Sequence, residues 1–187
     1  MSNQIEFKYF PDYMKFARFV EDPCDNCSSN ICLNGAYFED AEVPDSVCLD
    51  LLVSGKYRVY IPDYLKEDLE NSVRATYPTW TEEEIRRHIE VIVDELSRTP
   101  PVPWIQNNNW PVHHGDFCRY IGEWDQVMLT KESQNGDGLS YLMSILADPE
   151  DIGDIQSLWE SIGNGWTVVF VFECLLCNQR IAIEQSY

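Results

Sequence analysis

Seven cysteines and three histidines carry most of the chemistry available to this chain. Four of the cysteines form two Cys-x-x-Cys pairs, Cys24-Asp25-Asn26-Cys27 and Cys174-Leu175-Leu176-Cys177. That spacing turns two thiolates toward one tetrahedral zinc ion, with amides of the knuckle turn steadying the sulfurs. The first pair lies in a loop rich in Pro, Asp, Asn and Ser. The second directly follows a strand-like run, as a zinc knuckle at a hairpin tip would. Cys48 is a further candidate, so the metal-ligating set is Cys24, Cys27, Cys48, Cys174 and Cys177. Cys32 and Cys118 sit beside apolar residues and read as small core residues. The competing readings are a redox dithiol, a disulfide or plain buried thiols. A redox dithiol needs a helix N-terminus behind it, and neither pair precedes a clear helix. Zinc held mainly by cysteine is structural, because a catalytic site keeps one position open.

A second constellation is His113-His114-Gly115-Asp116 followed by Cys118, set between Trp110 and Trp124. One reading makes Cys118 a nucleophile with a histidine base, or makes the His/Asp group a metal site. The plainer reading is a structural histidine in an aromatic core, capping a helix that begins near Asp116. His114 is also a candidate ligand, since neutral imidazole joins cysteine readily at zinc. The sequence contains no phosphate loop, Gly-x-Ser-x-Gly, zincin helix or Rossmann fingerprint, so no catalytic residue is assigned.

The elements that must position these groups are a mixture. Ile5 to Phe10 reads as a strand closed by Pro11-Asp12, and Ile31 to Phe38 as a strand made irregular by Gly35. Pro44-Asp45-Ser46 starts a short helix carrying Val47, Leu51 and Leu52, and Tyr57 to Ile61 is a short strand. Pro62 to Ala75 is helical. The clearest helix is Thr81 to Ser97, opened by a Thr81/Glu84 capping box and striped by Ile85, Ile89, Ile92, Val93 and Leu96. Asp116 to Trp124, Leu139 to Leu146 and Ile155 to Ile162 read as further helices. Trp166 to Cys174 is strongly β-prone, with Gln179 to Glu184 as its hairpin partner. These patterns predict an α+β fold: a single domain over 1–187 with a short antiparallel sheet, several helices and knuckle-like Cys-x-x-Cys loops.

Composition narrows the function. The 13 Lys+Arg against 32 Asp+Glu give a net charge of −19 over 187 residues. Six Trp, ten Tyr and eight Phe supply a core that a disordered acidic tail lacks. No Lys or Arg occurs from Phe19 to Gly55 or from Glu132 to Gln179, and both cysteine pairs fall in these acidic stretches. A grip on nucleic acid would fail electrostatically there, so any macromolecular partner is expected to be basic. The start, Met1 to Glu6, shows no cationic head before an apolar run, and no stretch reaches bilayer length. A cytoplasmic protein that neither carries a signal peptide nor enters a membrane is expected.

Several motifs recur in order along the chain. They are Phe7-Lys8-Tyr9-Phe10-Pro11-Asp12, the Cys24/Cys27 pair, Cys48 to Gly55, Arg98-Thr99-Pro100, Trp104 with Trp110, His113 to Asp116, Tyr120-Ile121-Gly122-Glu123, and Phe172 to Cys177. This series resembles the CbrC family, bacterial proteins named for a member linked to colicin tolerance. In that resemblance Leu51 stands where the family's second pair has its second cysteine, and His114 where many members have cysteine. The resemblance implies that one or both metal sites are remodelled or lost, and it implies a link with toxin defence. Together with the charge it leads to an immunity protein that occludes a basic toxin domain, possibly a nuclease. Two acidic groups are the candidate contact residues: Glu39, Asp40, Glu42 and Asp45, and Asp148, Glu150, Asp151 and Asp154. The alternatives are an enzyme or stress factor using His113, His114, Asp116 and Cys118, and a zinc-stapled adaptor.

Overall fold

The computed structural model describes residues 5–24, 27–39 and 42–187, so Asp25, Asn26, Asp40, Ala41 and the first four residues lie outside the described residues. Its centre is a three-stranded antiparallel sheet of β6 (Arg119–Glu123), β7 (Thr167–Glu173) and β8 (Arg180–Ser186), numbered in chain order, with β7 in the middle. The run Val168 to Phe172 is apolar at every position because β7 is covered on both faces. Phe170, Phe172 and Cys174 enter one core, while Val169 and Val171 enter another on the opposite face. Each such buried side chain contributes about 1.5–3 kcal/mol.

The first core is built by the N-terminal two thirds of the chain. The short helix α1 (Tyr13–Phe16) leads into a small sheet of β1 (Phe19–Val20), β2 (Cys32–Asn34) and β3 (Ser46–Cys48), followed by α2 (Leu49–Val53). Helices α3 (Asp63–Thr76) and α4 (Glu82–Ser97) then bury Leu65, Leu69, Val73, Ile85, Ile92 and Leu96 against the same core. A two-stranded hairpin, β4 (Val112–His113) with β5 (Asp116–Phe117), precedes β6. The second core lies under α5 (Gln126–Glu132), α6 (Gly138–Ile145) and α7 (Ile155–Gly163), with Leu129, Leu142, Ile145 and Ile162 buried. The fold is α+β with short antiparallel sheets, as the patterns predict. No helix among the described residues is long and apolar enough to cross a membrane.

The helix of 81–97 forms as expected. Thr81 accepts from the Glu84 amide, and the Glu84 carboxylate accepts from the Thr81 amide at 2.7 Å. Thr81→Ala should therefore lower stability by about 1 kcal/mol, read as a fall in the urea midpoint with an unchanged m-value.

Five local expectations are corrected. Ile5 to Phe10 forms no strand: Phe7, Tyr9 and Phe10 are all buried, so the segment wraps the core instead of alternating. Ser46–Cys48 is a strand, and the helix begins only at Leu49. Residues 57–61 make a single bridge, Phe38 to Val59, rather than a strand, and the strand of 31–38 becomes β2 followed by a 3-10 turn at Gly35–Tyr37. Residues 116–124 are β5 and β6, not a helix. Pairing with β7 satisfies that backbone, and the register shifts between Tyr120 and Gly122. Gly122 permits this bulge: its φ is +128°, and a Cβ there would lie 2.7 Å from the Phe16 ring.

Candidate metal centre

The histidine pair sits on the β4–β5 hairpin. His113 pairs with Asp116, leaving His114 and Gly115 as a two-residue turn. Both have positive φ, +54° and +73°, as a type I′ hairpin requires. So the expected helix cap is instead a tight turn that projects neighbouring imidazoles, their ring centroids 4.0 Å apart.

Neighbouring elements clamp this turn. Gly115 N–H donates to Ser72 Oγ of α3 at 2.9 Å, and Gly115 C=O lies 3.2 Å from His88 Nε2 of α4. His88 is itself held edge-on by Trp80 and Tyr77, which stack on each other at 3.9 Å. On the far side of the turn the Asp116 carboxylate accepts from Tyr9 Oη at 2.6 Å, Lys8 Nζ at 2.8 Å and the Phe117 amide at 2.9 Å. Burial, with Asp116 adding, pushes the Tyr9 phenol far above its ordinary value and keeps it a donor.

The cysteine pair caps the β7–β8 hairpin at the same end of the sheet. Arg119, the first residue of β6, pairs with Glu173, the last of β7, and the two side chains form a salt bridge. The hairpin just before β6 is thereby brought beside the loop just after β7. That loop is a knuckle. Cys174 N–H donates to Gln179 C=O at 2.8 Å, Asn178 N–H donates to Cys174 C=O at 3.0 Å, and Leu176 N–H points at Cys174 Sγ at 3.4 Å. Asn178 adopts φ +58° to close it.

The two turns place His113, His114, Cys174 and Cys177 so that one ligand atom of each lies within 4.8 Å of all the others. Cys174 Sγ is 3.6 Å from His114 Nδ1, and Cys177 Sγ is 3.6 Å from His113 Nδ1. Tetrahedral bonds of zinc length to sulfur and nitrogen give an S···N edge of about 3.6 Å. These two edges match that value, and the four residues together could hold one metal ion. Burial, and then the adjacent His114, lowers the His113 pKa, which favours the neutral imidazole that can donate a lone pair. Asp116 and Cys118 are not in this group. Cys118 is wholly buried, and burial with nearby Cys174 raises its pKa, the condition of an inert core thiol.

The cysteines separate into two groups. Cys24, Cys27 and Cys48 form the other, with ligand atoms also within 4.8 Å of one another and Cys27 Sγ 3.5 Å from Cys48 Sγ. Desolvation pushes the Cys48 thiol up to about 12. A family model matches residues 5–185, nearly the whole chain. The chain belongs to the Uncharacterised protein family UPF0167. No curated protein and no solved structure matches this UPF0167 member.

The set drawn from spacing, Cys24, Cys27, Cys48, Cys174 and Cys177, omits both histidines; His114 enters only as a further candidate and His113 only in the alternative His/Asp metal site. The signal available was a His-Gly pair, which suits the positive φ of a hairpin turn. Among the acidic candidates, Glu39, Glu42, Asp45, Asp148, Glu150 and Asp154 are exposed, while Asp40 and the side chain of Asp151 lie outside the described residues. Asp154 also caps α7, accepting from Ser157 Oγ at 2.6 Å and the Gln156 amide at 3.1 Å.

Gly115 tests the clamp. A Cβ there would meet the Tyr77 ring at 3.1 Å and Val73 Cα at 3.3 Å, at a φ that L-residues disfavour. Gly115→Ala should cost about 1–2 kcal/mol through backbone strain. It should also weaken metal binding at this centre about tenfold by displacing His114, measurable by competition with a chromophoric chelator.

Proposed function

We propose that this protein is a zinc-stapled immunity protein that binds a basic bacterial toxin domain and neutralises it by covering it with acidic surface. The observation that carries the staple is the S2N2 donor set of His113, His114, Cys174 and Cys177, whose spacing and donor softness suit zinc. Four protein ligands leave no position for substrate, so the metal braces the scaffold. Support for the acidic surface comes from the basic-free segments and from the exposure of Glu39, Glu42, Asp45, Asp148 and Glu150. The resemblance to the CbrC family adds the link with toxin defence. Catalysis through Cys118 finds no support, because its thiol is buried away from solvent.

The test is binding of the purified protein to a toxin domain encoded beside it. The expected result is a tight complex that weakens with added salt and in which the toxin is inactive. Charge reversal at the contact cluster, by Glu39→Lys with Glu42→Lys or by Asp148→Lys with Glu150→Lys, should weaken it about tenfold or more. Full toxin activity in excess protein would end the immunity reading, whatever the metal content.

A further inference from the structure

The second cysteine group has three thiols, one short of a closed tetrahedral site. The described residues of its loop nevertheless share two backbone hydrogen bonds with the C-terminal knuckle. Cys24 N–H donates to Ser29 C=O at 2.9 Å, as Cys174 does to Gln179 at 2.8 Å. Ser28 N–H donates to Cys24 C=O at 2.7 Å, as Asn178 does to Cys174 at 3.0 Å. Ser28 has φ +57° where Asn178 has +58°. Two unrelated stretches of sequence thus share these hydrogen bonds and this positive φ around one Cys-x-x-Cys spacing.

The small sheet holds a candidate for the fourth ligand. Cys32 of β2 is directly paired with Cys48 of β3. Directly paired residues of antiparallel strands project from the same face with Cβ atoms about 4.5–5.5 Å apart. Cys24, Cys32 and Cys48 are the buried members of a small cluster that, among the described residues, is flanked by Val20 and Leu51, the latter also packing against the first core. The Cys32 thiol already lies against the knuckle, donating to Ser29 C=O at 3.2 Å, the carbonyl that also receives Cys24 N–H. The Cys32 sulfur is not among the three thiols within 4.8 Å of one another, so its ligation requires it to turn from that carbonyl toward them. The Cys27–Cys48 separation of 3.5 Å is close to the S···S edge of about 3.8 Å in a zinc–thiolate tetrahedron.

We propose that Cys24, Cys27, Cys32 and Cys48 form a second metal centre, a closed four-thiolate zinc site with Cys32 as its fourth ligand. On binding, the four thiols lose their protons to solvent and each sulfur forms one bond to Zn2+, so no oxidant is needed and the site carries two net negative charges. This centre does not depend on the toxin-binding reading. It pins the loop of 24–29 to β2 and β3, as the first centre pins the β4–β5 turn to the central sheet.

The experiment is cobalt titration of the reduced full-length chain, followed by cadmium-113 NMR of the cadmium-loaded protein. The wild-type chain should bind two metal ions and give two cadmium resonances, one at the far downfield position of a four-sulfur site. Cys32→Val keeps an apolar residue of similar size at this buried position, so a merely structural Cys32 would leave both sites intact. The expected outcome is instead loss of the downfield resonance and a fall in affinity at that site of about 100-fold or more, with the His113/His114/Cys174/Cys177 site unchanged. Unchanged cobalt affinity and spectra in Cys32→Val would overturn the proposal. So would a reduced wild-type chain that binds one metal ion only, at the His113/His114/Cys174/Cys177 site. Should Cys32→Val fail to fold, the wild-type cadmium spectrum decides alone, since a three-sulfur position for the second resonance excludes Cys32.

Discussion

Replacing Cys174 with serine is expected to remove the metal from the His/Cys centre and lower the melting temperature by about 10 °C. Cys174 is the buried member of the four, at the end of the central strand. A serine hydroxyl is nearly isosteric but does not ionise near neutrality, so the centre loses one bond and the charge that held the ion. A ligand bound only by the folded state contributes about 4 kcal/mol when present at a thousand times its dissociation constant. In a chain of 187 residues each kcal/mol moves the midpoint by about 2–4 °C. Cys177→Ser should lose the metal equally, because ligand count rather than burial sets affinity. A chelator should bring the wild-type protein down to the same midpoint. The effect also has a pH signature. Protons compete with the metal for thiolates and imidazoles, so the stabilisation is present at neutral pH and lost as pH falls. Thermal melts with and without chelator, paired with metal analysis, check this. Identical midpoints in metal-loaded and metal-stripped protein would show that the centre is not a staple.

Phe172→Ala is expected to be the most damaging single truncation of the core, at about 3–5 kcal/mol. Phe172 is fully buried in the middle strand of the central sheet. Its ring lies 5.7 Å from Trp104, 5.6 Å from Trp110 and 5.2 Å from Tyr120. These are large, rigid groups fixed by other contacts: Trp110 Nε1 donates to Cys118 C=O at 2.7 Å, and Tyr120 packs edge-on to Phe10 at 4.8 Å. The surroundings therefore cannot collapse into the space, and the cavity cost adds to the lost burial. Because Cys174 follows on the same face of the strand, metal affinity should fall as well. Trp166→Ala removes a larger side chain that is 66% exposed, and should cost under about 0.5 kcal/mol. Urea unfolding of the two variants makes the comparison. Similar losses in both would mean that the central strand is not the organising element.

Helix α4 shows what local pattern can achieve. Its capping box, its stripe and its Thr-Pro-Pro end all lie within the segment, and all agree. Residues 116–124 show the limit. Phe117, Tyr120, Ile121 and Trp124 fall at helical spacing, yet the burial follows Cys118, Tyr120, Gly122 and Trp124, the period of a strand. Aromatic and β-branched content with an internal glycine was the contrary signal, and pairing with β7 gave it effect.

The metal sites divide in the same way. Each Cys-x-x-Cys turn is a local object, built from hydrogen bonds within six residues, so spacing alone was enough to identify it. Its partners are not local. His114 lies 60 residues from Cys174, and His113 lies 64 from Cys177. Their meeting depends on the register of β6 against β7, since a one-residue slip would turn Cys174 to the other face of the sheet. By itself the sequence determined the α+β class, the two knuckles and the segregation of its negative charge. Only the tertiary structure decided which histidines face which thiols, because long-range strand pairing is chosen by the burial of the whole sheet and not by any residue near the metal.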